Sequence, residues 1–119
     1  MTTYAVAHMR EVTIGPAIVE YLERIDATLE PFDGRFIVHG AEPTVVEGEF
    51  SGNLIVVAFP TREQAQDWYA SPAYRAILPL RTENSSSDVL LVDGVGSDHR
   101  ATDVLRVRAS APPEVAAQG

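Results

Sequence analysis

From Tyr4 to Glu11 apolar and polar residues alternate, the period of a strand with one face covered. Between Pro16 and Leu29 the period lengthens. Ile18, Leu22, Ile25 and Leu29 recur at helical spacing, and Pro31 stops the run. Asp33-Gly34 then turns the chain. Arg35 to His39 predicts a second strand, Val45 to Phe50 its extension or a hairpin arm, Leu54 to Phe59 a third strand and Asp88 to Asp93 a fourth. Between the last two lies the densest signal, Phe59 to Tyr74. Thr61 with Gln64 three positions on has the form of a capping box, in which each side chain satisfies a backbone N–H left unpaired at a helix start. A helix therefore begins near Arg62, with Ala65, Trp68, Tyr69 and Pro72 on one buried stripe. Ser71 caps a second short helix whose first position is Pro72, where a missing N–H costs nothing.

The resulting order, βαββαβ, is the split βαβ or ferredoxin-like arrangement: an α+β domain whose antiparallel sheet carries both main helices on one face. Helices on a single face call for strands that alternate. Leu54-Ile55-Val56-Val57-Ala58-Phe59 and Val89-Leu90-Leu91-Val92 do not alternate; they are apolar on both sides, as strands covered twice are. Each further aliphatic side chain buried is worth roughly 1.5–3 kcal/mol, too much to leave wet. The chain has no further domain to offer, so the expected cover is a second copy, a two-fold homodimer joined through the open sheet face.

Composition narrows the setting. The length, 119 residues, suits one domain, and 45% hydrophobic residues suit a folded one. There is no cysteine, which removes disulfides, thiolate nucleophiles and Cys-bearing zinc sites together and fits a reducing compartment. The amino terminus lacks a basic stretch followed by an apolar run, and no 18 consecutive residues are apolar, so a soluble, cytoplasmic protein is expected. The net charge of −8 lies entirely in residues 1–95, which hold six Arg and fourteen Asp and Glu; residues 96–119 hold three of each. An acidic surface repels phosphate backbones, which argues against nucleic acid and anionic membranes as partners. All nine basic residues are Arg, so a lysine Schiff base is excluded. The domain is expected to span residues 1–95, with 96–119 an extension. In it, Val104 to Arg108 has strand character suited to a sheet edge or a clasp on the partner, and Ala111 to Gly119 reads as a flexible tail.

Candidate chemistry follows from the strand faces. With Ala5, Ala7 and Met9 toward the helices, Tyr4, Val6, His8 and Arg10 face the dimer side. If Phe36 and Val38 also face the helices, Arg35, Ile37 and His39 join them, gathering His8, Arg35, His39 and Glu47 around one polar spot. There His39 with Glu47 is a usable acid/base pair near neutral pH. The alternative is that Arg35 and His39 sit at strand ends and pair with Glu47 or water to fix the hairpin. Trp68, Tyr69 and Tyr74 can form an aromatic ligand cage, or simply the packed underside of a helix with hydroxyl and indole N–H bonded to backbone. Arg81, placed just after the second short helix, can bind a substrate carboxylate in two-point fashion, hold the carbonyls of that helix end, or pair with an acidic residue of the partner. Other motifs are weak. Asp93-Gly94-Val95-Gly96 lacks the third glycine and following helix of a dinucleotide loop. Neither Gly-x-Ser-x-Gly nor His-Glu-x-x-His occurs, and the three histidines lie on separate segments, so no metal and no cofactor is expected. Asn84-Ser85-Ser86 matches a glycosylation acceptor but, without an export signal, reads as a polar loop.

The segments Tyr4-Ala5-Val6, Phe32-Asp33-Gly34-Arg35-Phe36, His39-Gly40, Val46-Glu47-Gly48, Val57-Ala58-Phe59-Pro60, Ala65 to Tyr74, Leu80-Arg81 and Val92-Asp93-Gly94 together resemble the bacterial family named domain of unknown function 1330. The resemblance covers residues 3 to 95, and its Trp68-Tyr69-x-Ser71-Pro72-x-Tyr74 segment and Glu47-Gly48 pair are its most specific parts. It implies the dimeric α/β-barrel superfamily, which includes monooxygenases and isomerases that work without a cofactor through His, Arg, Tyr and Trp. The expectation is a small homodimer with a small-molecule pocket and no assigned activity; the alternatives are a cofactor-independent enzyme of that kind working through His, Arg and Glu at the sheet face, and a non-catalytic binding or regulatory module in which those residues only stabilise the fold. The chain departs from the family where Asp33-Gly34 and Gly40-Ala41 replace Gly-Gly, and where Phe50 replaces Trp.

Overall fold

A computed structural model describes residues 1–109. In order the elements are β1 (Thr3–Val12), α1 (Pro16–Leu29), a 3-10 turn (Glu30–Phe32), β2 (Arg35–Val38), β3 (Asn53–Phe59), α2 (Arg62–Ala70), α3 (Pro72–Thr82), β4 (Ser85–Asp93) and α4 (Asp103–Ala109). The four strands form one antiparallel sheet in the order β2-β3-β1-β4. This is the ferredoxin-like topology, α+β, and the sheet is open rather than closed into a barrel within one chain. Among the described residues no helix is long and apolar enough to cross a membrane.

Local sequence sets the helix ends. Pro16 occupies the first position of α1 after extended Gly15, and the helix buries Ile18, Tyr21, Ile25 and Leu29. Leu22, expected on that stripe, is exposed instead. Thr61 Oγ1 accepts from the Gln64 amide as a helix cap should. The Gln64 side chain does not return to the Thr61 amide: it accepts from the Thr61 hydroxyl and donates to Asp33 Oδ2 (3.2 Å), tying α2 to the turn before β2. Only half of the capping box forms. Ser71 caps α3 through the Tyr74 amide and donates to the Trp68 carbonyl (2.7 Å), fixing the angle between α2 and α3. Pro72, the first residue of α3, is exposed rather than part of the buried stripe.

The core lies between the sheet and this helix layer and is centred on Ala5, Tyr21, Ile25, Leu29, Val57, Phe59, Ala65, Trp68, Tyr74 and Ile77. Two glycines permit it. A Cβ on Gly34 would come within 2.6 Å of the Phe59 ring and 2.8 Å of Leu29. Gly52 has φ +91°, and a Cβ there would overlap the backbone of Met9, so a side chain is excluded on both counts. Asp33 takes the left-handed conformation, φ 57°, in which Asp is tolerated. At the sheet's edge, the buried Thr3 hydroxyl donates to Asp93 Oδ1 (2.7 Å) and Arg62 Nε reaches the same carboxylate at 3.1 Å; the Thr3 bond first, then Arg62, hold that carboxyl below the usual range.

Three expectations are corrected. Residues 39–52, including the proposed arm Val45 to Phe50, carry no helix or strand. Val104 to Arg108 lies in the helix α4, whose first residue, Asp103, accepts from the Arg100 amide in the turn before it, and not in a strand; the proposed tail Ala111 to Gly119 lies outside the described residues. Asn84 closes α3 by donating to the Leu80 carbonyl, while Ser85 and Ser86 already belong to β4.

Candidate functional site

The two sheet faces separate cleanly. Pairing places Ala5 beside Val57 and Leu91, and Ala7 beside Ile55 and Val89, all toward the helices. Tyr4, Val6, Leu54, Val56, Ala58, Leu90 and Val92 occupy the other side. In β2 the alternation breaks: Phe36 pairs with Val57 but Val38 pairs with Val56, leaving Ile37 as the extra residue of a bulge. The bulge reverses the expectation for everything after it. Val38 joins the open face, and His39 turns to the helix side, where its ring stacks on Phe36 at 4.3 Å.

On the helix side the small side chains of Ala5 and Ala7 leave space that larger residues would fill. The result is a cavity of about 240 Å³ between the sheet and the helices. Its floor is Ala5, Ala7, Met9, Ile55, Val57 and Val89; Ile18, Tyr21 and Ile25 of α1 and Trp68 and Tyr74 of α2 and α3 cover it. Exposed Ile14, Leu22, His39, Gly40 and Asn53 form the mouth. The walls are apolar almost throughout. Polarity is concentrated at the deep end, where Tyr21 Oη and Tyr74 Oη share a hydrogen bond of 2.7 Å.

Arg81 completes that end. It lies in the last turn of α3 rather than after it, is buried (6% exposed), and lines the cavity. Its guanidinium donates to Ser87 Oγ (2.8 Å) and, at a long 3.5 Å, to Tyr74 Oη, and lies 6.0 Å over the Tyr21 ring. It does not hold the carbonyls of the helix end, and among the described residues no carboxylate pairs with it. Burial works against its charge, but the hydroxyls of Tyr74 and Tyr21 favour it, so it stays firmly protonated. Burial, followed by the neighbouring Tyr74, pushes the Tyr21 phenol well above its usual range, so it serves as a neutral hydroxyl and not as a base. On its far side Arg81 borders a second, polar pocket of about 210 Å³ with Tyr69, Thr82, Ser85, Ser87 and Val89.

The other aromatic candidates are packed. Trp68 is buried, with ring centroids 4.1 Å from Tyr74, 5.4 Å from Phe59 and 6.0 Å from Tyr69. Its indole N–H donates to Thr28 Oγ1 (3.0 Å), so the polar atoms of Trp68 and Tyr74 bond to side-chain hydroxyls rather than to backbone. Trp68 and Tyr74 are at once core and cavity wall, while Tyr69, with Arg75 5.3 Å over its ring, belongs to the polar pocket.

The polar cluster expected on the dimer side does not assemble. His8 remains there, its ring stacked on Phe50 at 4.6 Å and its Nε2 donating to the Ser51 carbonyl (2.8 Å); Arg10 pairs with Asp88 nearby. Phe50, which stands where the resembled family has Trp, therefore packs on the open face and not in the cavity. Arg35 is exposed on β2 and Glu47 is exposed in the 39–52 connection, and neither side chain makes an ion pair among the described residues. Among the described residues no three His, Asp or Glu side chains converge as metal ligands would. Tyr21 is absent from the candidates read off the sequence, although it sits three residues after Ile18 on the apolar stripe of α1. A tyrosine on a buried stripe needs a partner for its hydroxyl, and that was the available signal.

Comparison with known proteins agrees with the geometry of the fold. A protein of unknown function from Rhodopseudomonas palustris superimposes with a TM-score of 0.61 at 14% identity, over 80% of this chain and 83% of its own. A dimeric ferredoxin-like protein of unknown function from Jannaschia sp. CCS1 gives 0.62 at 10% identity, over 79% and 100%. A mutant form of SnoaB, a cofactor-independent oxygenase from Streptomyces nogalater, gives 0.51 at 10% identity, over 83% and 98%. No curated protein matches the sequence. The family model described as "Domain of unknown function (DUF1330)" matches residues 2–95, so the chain belongs to that family.

Proposed function

We propose that the protein binds a small, largely apolar molecule between its sheet and helices, and that it does so as a homodimer joined through the open sheet face. The cavity carries the first part. A dry apolar cavity of about 150 Å³ suffices for benzene, so about 240 Å³ accommodates a one- or two-ring compound. The dimer is supported by an apolar centre of Val6, Val38, Val56, Leu90 and Val92 with a polar border of Arg10–Asp88 and His8–Ser51, the anatomy of an interface. Leu90 and Val92 are 62% and 50% exposed in the single chain. The dimeric Jannaschia protein shares the fold.

Filling the cavity tests the binding role. Ala7→Leu adds three carbons to the cavity floor without touching Tyr21, Tyr74 or Arg81. It is expected to weaken binding of naphthalene-sized probes at least tenfold in calorimetry while the unliganded melting temperature holds or rises. A loss of stability of about 1–3 kcal/mol, the usual cost of overpacking, with unchanged probe binding would remove the cavity as the binding site.

A second reading is catalytic, a cofactor-independent oxygenase or isomerase. The observation in its favour is His39, an imidazole at the cavity mouth and so a side chain able to carry a proton to or from a bound molecule. Glu47, its proposed partner, does not line the cavity, so His39 is the acid/base candidate by itself. On this reading His39→Gln abolishes turnover of a bound substrate and changes its Kd less than threefold. Equal turnover by both proteins eliminates the role.

A further inference from the structure

The buried cation at the end of an apolar cavity specifies the ligand further. Resting on the cavity reading above, we infer that Arg81 anchors an oxyanion on the bound molecule, so that the ligand class is a small one- or two-ring compound bearing a single carboxylate or acidic enolic or phenolic oxygen. A guanidinium has five N–H donors. Two are used, on Ser87 Oγ and Tyr74 Oη, both neutral acceptors. A buried cation without a carboxylate is costly to maintain for structure alone, because a charge removed from water is compensated only by an opposite charge or full hydrogen bonding. The bonds to Ser87 and Tyr74 engage Nη1 and Nη2; Nε makes none, and since no fully buried side-chain nitrogen among the described residues lacks a partner, Nε is not walled in, and Arg81 lines both pockets.

The surroundings match that role. Tyr74 Oη accepts from Arg81 and is bonded to Tyr21 Oη, which makes a pair of hydroxyls beside the guanidinium with one O–H left to donate to an anion. The raised ionisation of Tyr21 keeps its own hydroxyl protonated. The apolar walls set the opposite requirement for the rest of the ligand. A fully polar anion gains nothing from Ala5, Ile18, Ile25 and Val57, and a neutral hydrocarbon leaves Arg81 uncompensated. Only a molecule with both parts matches the site.

The polar pocket on the other side of Arg81 offers a competing source of the same chemistry, a free inorganic anion resting on Ser85, Ser87 and the guanidinium. Calorimetric titrations with 2-naphthoate, its neutral isostere 2-naphthamide and inorganic phosphate separate these cases. Wild-type protein is expected to bind the naphthoate at least tenfold more tightly than the naphthamide and to ignore millimolar phosphate. In Arg81→Met the preference should invert, since a carboxylate then enters an apolar site without a cation, while naphthamide affinity stays within threefold. Arg81→Gln serves the same purpose if the methionine variant fails to fold, and the wild-type comparison stands without either. Equal affinity for the two naphthyl probes overturns the oxyanion role and leaves the cavity. Binding of neither overturns both. Phosphate binding in place of naphthoate assigns Arg81 to the polar pocket and overturns its link with the cavity.

Discussion

Leu90→Asp is expected to convert the proposed dimer to monomers across the micromolar range in analytical ultracentrifugation, with the fold retained by circular dichroism. Leu90 stands opposite Val6 in the middle of the open face and is 62% exposed in the single chain. In a two-fold interface every residue is counted twice. Fully burying a leucine is worth about 1.5–3 kcal/mol, and the part of Leu90 still exposed about 1–2 kcal/mol, so its loss from both copies removes about 2–4 kcal/mol, or roughly one to three orders of magnitude in Kd. The two introduced carboxylates add desolvation and mutual repulsion. In the monomer the substitution touches only the solvent side of β4, so its melting temperature should approach that of a dilute wild-type sample. A wild-type protein that already sediments as a monomer at micromolar concentration would remove the dimer, and the aspartate would then have no effect on mass.

The second large effect belongs to Trp68. Removal of a buried tryptophan typically costs about 3–5 kcal/mol, and here the indole packs between Phe59, Tyr69 and Tyr74 while covering the cavity. For a domain of this size Trp68→Ala should lower the melting temperature by about 10–20 °C and widen the cavity. Thr28 is not orphaned by the change, since its hydroxyl still donates to the Ile25 carbonyl (2.7 Å), so the loss reports packing rather than a stranded polar atom. Trp68→Phe should recover most of the stability. A drop below about 1 kcal/mol for the alanine variant would mean that the helix layer closes over the gap, and the cavity would then be smaller in solution than described.

Much of this architecture could be read from local signals because each one is self-contained. Pro16 and Leu29 bound α1 as the periodicity predicts. The hydroxyls of Thr61 and Ser71 start α2 and α3, and the run Leu54 to Phe59 lies in β3. The candidate site was legible only in part, and the reason is specific. A face assignment assumes unbroken alternation, and one extra residue, Ile37, invalidates it from that point on. His8 does lie on the open face, as alternation predicts; His39 does not. The partners of Tyr21, Tyr74 and Arg81 come from different elements, so their convergence depends on tertiary packing that no spacing rule encodes. Val104 to Arg108 illustrates the other limit: five residues mixing apolar and charged members fit a strand, yet they lie in α4, which begins at Asp103.

The bulge in β2 also bears on how such a scaffold diversifies. Because the residues beyond it swap sides as a block, losing or gaining one position near Ile37 would exchange the imidazole at the cavity entrance for whichever neighbour precedes or follows it, with every letter of the remaining chain unchanged. Insertions and deletions in that strand are therefore a route to new chemistry in relatives of this protein, independent of substitution at the cavity itself.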